Sequence, residues 1–145
     1  MSIEQKTRVF IGLLPALVAA LLVMLLPRIE QAAFPVVRDF LITNLARTGE
    51  HVVMSGYMRK VRDCRFVGVQ AIAIDSAGHV HDAPLIFLDA ANNNATRPAG
   101  GQAWGPWKVT IKAADADALR LVATHRCHWV YAVDTTLANI PMHAP

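Results

Sequence analysis

Two different spacings of apolar residues divide the chain. Residues 9–26, VFIGLLPALVAALLVMLL, run for 18 positions without a charged or strongly polar side chain. At roughly 1.5 Å per residue this is about 27 Å of helix, close to the thickness of a hydrocarbon core. The pattern predicts a transmembrane helix over residues 9–27, behind a cytoplasmic N-terminus of residues 1–8. In residues 34–47, FPVVRDFLITNLAR, the positions Val37, Phe40, Leu41, Asn44 and Leu45 recur at helical intervals. Pro35 suits a first turn and Gly49 a C-terminal stop, so residues 28–49 are expected to form a juxtamembrane connector and amphipathic helix.

From residue 50 onward the period changes, and Val, Ile, Tyr and Phe become dense between turn signals. HVVMSGYMRKV, CRFVGVQAIAID and VHDAPLIFLD predict three successive strands, the last two joined as a hairpin by SAGH at residues 76–79. Residues 91–105 form a long polar, glycine-rich loop. PWKVTIKA and ALRLVATHRCHWVYAV supply at least two more strands, separated by the turn DAD at residues 115–117. A mainly β fold follows, with residues 50–145 as a small antiparallel β-sandwich of immunoglobulin-like type. The passage SGYMRKVRDCRFVGVQAIAIDSAGHV resembles the small β-sandwich modules that bacterial membrane-anchored proteins carry outside the membrane; it contains no catalytic motif.

Composition supports the membrane assignment. Of 145 residues, 54% are hydrophobic, and the mean hydropathy of +0.33 is high for a soluble domain. Lys6 and Arg8 would serve a signal peptide, with Ala32 and Ala33 downstream. However, the apolar run is long for such a segment, and Gln31 or Glu30 would occupy the position three before cleavage. An uncleaved signal-anchor is therefore expected. Charge hardly decides orientation, because Lys6 and Arg8 face Arg28 and Arg38 across the run.

The two cysteines, Cys64 and Cys127, decide it. Both lie beyond the apolar run, and an even pair there fits a disulfide in an oxidising compartment, between neighbouring strands or across the two sheets. The expected setting is a bacterial inner membrane with the C-terminal domain in the periplasm. Closing a loop of about 60 residues would contribute roughly 4 kcal/mol.

The stretch THRCHWVYA also places His125 and His128 around Cys127, and His79 and His81 form an i, i+2 pair. Zinc or copper ligation is the alternative this raises, but no C-x-x-C accompanies it, and His128 falls on the opposite strand face from His125. Haem attachment would need C-x-x-C-H, which is absent. Neither metal nor cofactor is expected.

Arg59, Lys60, Arg62 and Arg65 crowd one cysteine and Arg126 the other, although from residue 50 onward nine Lys/Arg stand against eight Asp/Glu. A positive patch for lipid phosphates or an acidic partner is one consequence, and a set of solvated strand ends is the other. No nucleic-acid motif appears, and a pI near 9.2 is modest. No G-x-S-x-G, phosphate loop or H-E-x-x-H indicates catalysis. Two features point to protein contact. Gly12, Ala16 and Ala20 make a smooth stripe for close helix packing, and WGPW offers Trp104 and Trp107 as an anchor if they are exposed, whereas at a strand start such tryptophans more often close the end of a core. The expected function is a non-catalytic accessory subunit whose partners are the lipid bilayer and other membrane subunits or copies of itself. The alternatives are a periplasmic copper or zinc module, or a phage or prophage envelope protein acting at the host membrane.

Overall fold

A computed structural model describes residues 3–89, 97–112, 116–129 and 131–142; within the N-terminal helix, the side chains of residues 3–13 and of Gln31 lie outside that description. The chain divides into two compact units, Met1–Phe34 and Pro35–Pro145.

The first unit carries α1, Ile3–Ala33, with Pro15 and Pro27 inside it. Its described apolar side chains are open to the surroundings, from Leu14 at 53% exposure to Met24 at 72% and Ile29 at 59%. Among the described residues, no helix is long and apolar enough to cross a membrane. Residues 9–13, including Gly12 of the small-residue stripe, belong to the part whose side chains are not described.

The second unit holds eight strands among the described residues: β1 (Val37–Thr48), β2 (His51–Lys60), β3 (Arg65–Asp75), β4 (Val80–Ala83), β5 (Leu85–Phe87), β6 (Gly100–Thr110), β7 (Ala116–Arg126) and β8 (Val133–Pro141). They form two antiparallel sheets of four, in the orders β1-β2-β6-β5 and β4-β3-β7-β8. The inner faces bury Val52, Met54, Trp104, Val109, Leu119 and Leu121 as one core. The arrangement is β-sandwich-like.

The amphipathic helix expected over residues 34–47 is instead strand β1, and the sandwich begins near Pro35, well before residue 50. Val37 pairs with Lys60 and Thr48 with His51, so β1 is an edge strand closed onto β2 by a tight turn in which Gly49 has φ +58°. Two register shifts interrupt the pairing, and the first, between Arg38 and Leu41, breaks strict alternation so that Val37, Phe40 and Ile42 all turn inward. Asp39 absorbs one of them at φ +51°, a conformation that aspartate tolerates better than most residues.

The expected strand VHDAPLIFLD also divides. Proline has no N–H for the ladder, and at Pro84 the chain leaves β4 in one sheet and enters β5 in the other. Part of the expected loop at residues 91–105 is the first half of β6, while residues 90–96 and Asp115 of the expected DAD turn lie outside the described residues.

At Gly56 the strands approach so closely that an added Cβ would overlap the Leu41 carbonyl and crowd the Trp104 ring. Backbone cannot yield as a flexible side chain does. Gly56→Ala is therefore expected to destabilise the sandwich by about 2 kcal/mol, read as a lower urea midpoint. An unchanged midpoint would show that β1 shifts freely at its bulge.

Candidate functional site

Parity along the strands brings the unusual polar groups together. In β2, Val52, Met54, Met58 and Lys60 all face inward, with the register shift at Gly56 absorbed between them. In β7, Leu119, Leu121, Ala123 and His125 do the same. Each row ends on a titratable side chain inside the sandwich. Lys60 is 3% exposed and His125 is 4% exposed.

These two residues line a cavity of about 40 Å³ between the sheets. Gln102, Trp107 and Arg97 complete its polar lining, and Met58, Phe66, Phe87 and Leu137 supply apolar wall. It adjoins the small cluster in which Val37, Met58 and Leu137 pack about Cys64.

The Lys60 ammonium donates a hydrogen bond to the Arg97 carbonyl, and its Nζ lies 3.9 Å from the exposed Asp63 carboxylate. Burial lowers its pKa, and Asp63 partly offsets this. His125 is pushed down to about 4, first by burial and then by the positive charge of Lys60. It is therefore neutral at pH 7, with the Phe66 ring edge-on at 5.6 Å. Arg97 donates to the Ala103 carbonyl at 2.9 Å and to Gln102 Oε1 at 3.4 Å. Gln102 Nε2, Trp107 Nε1 and His125 Nδ1 are buried without a hydrogen-bond partner among the described residues. Sequence reasoning placed Lys60 in a surface patch; the signal it missed was parity, since Lys60 lies two residues beyond Met58.

Trp104 and Trp107 are not a surface anchor. They are 2% and 4% exposed, with ring centroids 4.5 Å apart, and Phe40 stacks on Trp104 at 4.4 Å. Residues three apart should point to opposite faces of a strand. Two steps along β2, from Met54 to Gly56, face three along β6, from Trp107 to Trp104, and Gly105 at φ +87° takes up the extra residue, so both indoles turn inward. The exposed tryptophan is Trp129, at 93%, in the turn after the second cysteine.

Cys64 and Cys127 are disulfide-bonded, with Cα atoms 4.5 Å apart. Cys64 immediately precedes β3 and Cys127 immediately follows β7, so the bond closes neighbouring strands of one sheet. Of the expected basic patch, Arg65 and Arg126 are brought opposite each other in the β3–β7 ladder. Arg59 is paired with Asp39 at 2.8 Å, Arg62 is half-buried, and Lys60 is inside.

The histidines separate in the same way. His125 faces the core, while His128 is exposed, with its ring 4.9 Å from that of Tyr131. His79 and His81 gather on Asp75 in the β3–β4 turn, where Oδ2 lies 3.0 Å from His79 Nδ1 and 3.0 Å from His81 Nε2. Oδ1 accepts the backbone N–H groups of Ala77 and His79. The contact with His81 leads in holding the Asp75 carboxyl well below its ordinary range. Among the described residues, no group of three or more His, Cys, Asp or Glu is placed to hold a metal ion. Comparison with known proteins found no matching family model, curated protein or solved structure.

Proposed function

We propose that the chain is a single-pass, membrane-anchored, non-catalytic subunit that presents a disulfide-stapled β-sandwich in the bacterial periplasm and binds or stabilises a larger membrane assembly. One observation carries this reading: from residue 14 to residue 26 the described part of α1 is apolar on every side. Leu14, Leu17, Val18, Leu21, Leu22 and Met24 are all largely exposed, which is costly in water and suited to hydrocarbon. In sequence the apolar run extends back to Val9, beyond the residues whose side chains are described, and its 18 residues come to about the length that a bilayer requires. The disulfide supports an oxidising compartment.

An immunoglobulin-like class for the sandwich is supported by its strand order. Reading β1 to β8 as A, B, C, C′, D, E, F and G, the sheets are A-B-E-D and C′-C-F-G. The bond then joins C to F, within one sheet, where antibody domains join B to F across two. For protein contact, Ala16 and Ala20 keep one side of α1 smooth, and Trp129, next to exposed His128 and close in sequence to Arg126, offers an aromatic and basic edge to an acidic partner.

Alkaline extraction of membranes tests the anchor, and an impermeant thiol reagent applied to cells after reduction tests the side. The chain should stay with the membrane and label at Cys64 and Cys127 from outside. Release into the soluble fraction, or labelling only after lysis, overturns the proposal. Ala16→Leu should lower the amount of assembly recovered in mild detergent, while Leu21→Ala should not. Equal recovery from both would remove α1 as the contact surface and leave Trp129.

A further inference from the structure

We propose that the cavity between the sheets is a binding site for a small carboxylate carried on a short apolar chain. Of the three unpartnered polar atoms on its described lining residues, two are donors that ask for an acceptor. Trp107 Nε1 is donor-only, and Gln102 Oε1 already accepts from Arg97, which leaves the buried Gln102 amide as a donor without a partner among the described residues. His125 Nδ1 can meet either role according to tautomer. Lys60 and Arg97 belong to the lining as cationic residues, and among the described residues no carboxylate lines the cavity. Asp63 lies 85% exposed beside Lys60, and Asp89 acts on Arg97 from outside the lining.

The remaining wall selects against a bare inorganic ion. Met58, Phe66, Val69, Phe87 and Leu137 would gain nothing from sulfate or phosphate, whereas a methylene tail would cover them. A planar carboxylate also matches the flat amide of Gln102. At roughly 10–15 Å³ per water-sized group, a cavity of 40 Å³ encloses about three such groups. That suffices for the carboxylate itself. The tail runs along the apolar wall toward the open side. The ligand is either a free short acid or the acid end of a longer chain.

The test titrates butyrate, and butyramide as its uncharged counterpart, into the full chain in a non-ionic detergent. It follows saturation transfer to the ligand and the tryptophan emission of the core. Butyrate should bind with a millimolar Kd, as befits about six non-hydrogen atoms, and butyramide about tenfold or more weakly. This comparison needs no variant. Lys60→Met, which keeps the stem and removes the charge, should lose the preference for acid over amide, while exposed Lys112→Met keeps it. Equal binding of acid and amide, no saturation transfer from either, or an unaltered preference in Lys60→Met would overturn the proposal. A free short acid is indicated if hexanoate binds no better than butyrate, and the end of a longer chain if it binds about tenfold better.

Discussion

Replacing Cys64 and Cys127 together by alanine is expected to lower the stability of the sandwich by about 4 kcal/mol and its Tm by about 20 °C. The bond joins residues 63 apart, so much of this comes from chain entropy returned to the unfolded state. A local term acts in the same direction. Arg65 and Arg126 face each other across the first rung of the β3–β7 ladder, and like charges directly opposite repel. The disulfide, one residue beyond each, holds that rung closed. Cys64 also belongs to a small buried cluster with Val36 and Val37, so truncation removes packing as well as the bond. The measurement is thermal unfolding followed by the emission of Trp104 and Trp107, with and without reductant. Reduction of the unaltered chain should reproduce most of the loss. A shift below about 5 °C in both experiments would mean that the ladder holds the rung by itself.

What the sequence made legible is what local chemistry decides. The strands β2 and β3, the hairpin turn between β3 and β4, and the cysteine pair all follow from alternation, turn residues and count. What it concealed was set by contacts distant in sequence. Residues 34–47 carry an apolar spacing that suits a helix, and only pairing with β2, through two register shifts, makes them a strand. Pro84 signals a break but not that the chain will change sheets there. Gly100, Gly101 and Gln102 have the composition of a loop, yet β2 supplies the partners that make them the start of β6. The last strand, β8, reads VDTTLANIP, polar enough to pass unnoticed until β7 is seen to pair with it.

The candidate site was hidden for a related reason. A lysine and a histidine among neighbouring arginines look like a surface patch when the stretch is read as a block. Read at period two, each continues an inward row, from Met58 to Lys60 and from Ala123 to His125. The residues that meet them, Arg97 and Gln102, lie on the far side of the β4 and β5 segments, and only the sandwich brings them close. The tryptophans show the converse, and of the two readings open to them the core is the one the fold takes. WGPW looks like an exposed turn, and the bulge at Gly105 makes it core.

Acidification from pH 7 to pH 4 is expected to cost the sandwich about 3 kcal/mol through His125 alone. The ordinary imidazole pKa of about 6.5 applies to the unfolded chain, and folding lowers it to about 4. Between these values the unfolded chain binds a proton that the folded chain refuses, so stability falls as pH falls across that window and is unaffected by His125 above it. Burial is the main cause, and the facing groups from each packed element offer no relief. Lys60 of β2 and Arg97 ahead of β6 are cationic, Gln102 presents an amide donor, and Phe66 of β3 presents a ring edge. Asp75 acts elsewhere on the scale. Its carboxyl is held low in the folded state, so its contribution is complete above the ordinary carboxylate range and is lost only as pH falls below about 4. Urea midpoints measured at half-unit steps of pH separate the two. His125→Gln should flatten the profile between about pH 6.5 and pH 4 and leave the steeper fall below it. If the His125→Gln profile retains the slope of the unaltered chain in that window, the imidazole is protonated inside the fold, and the cavity is wetter or more acidic than its lining implies.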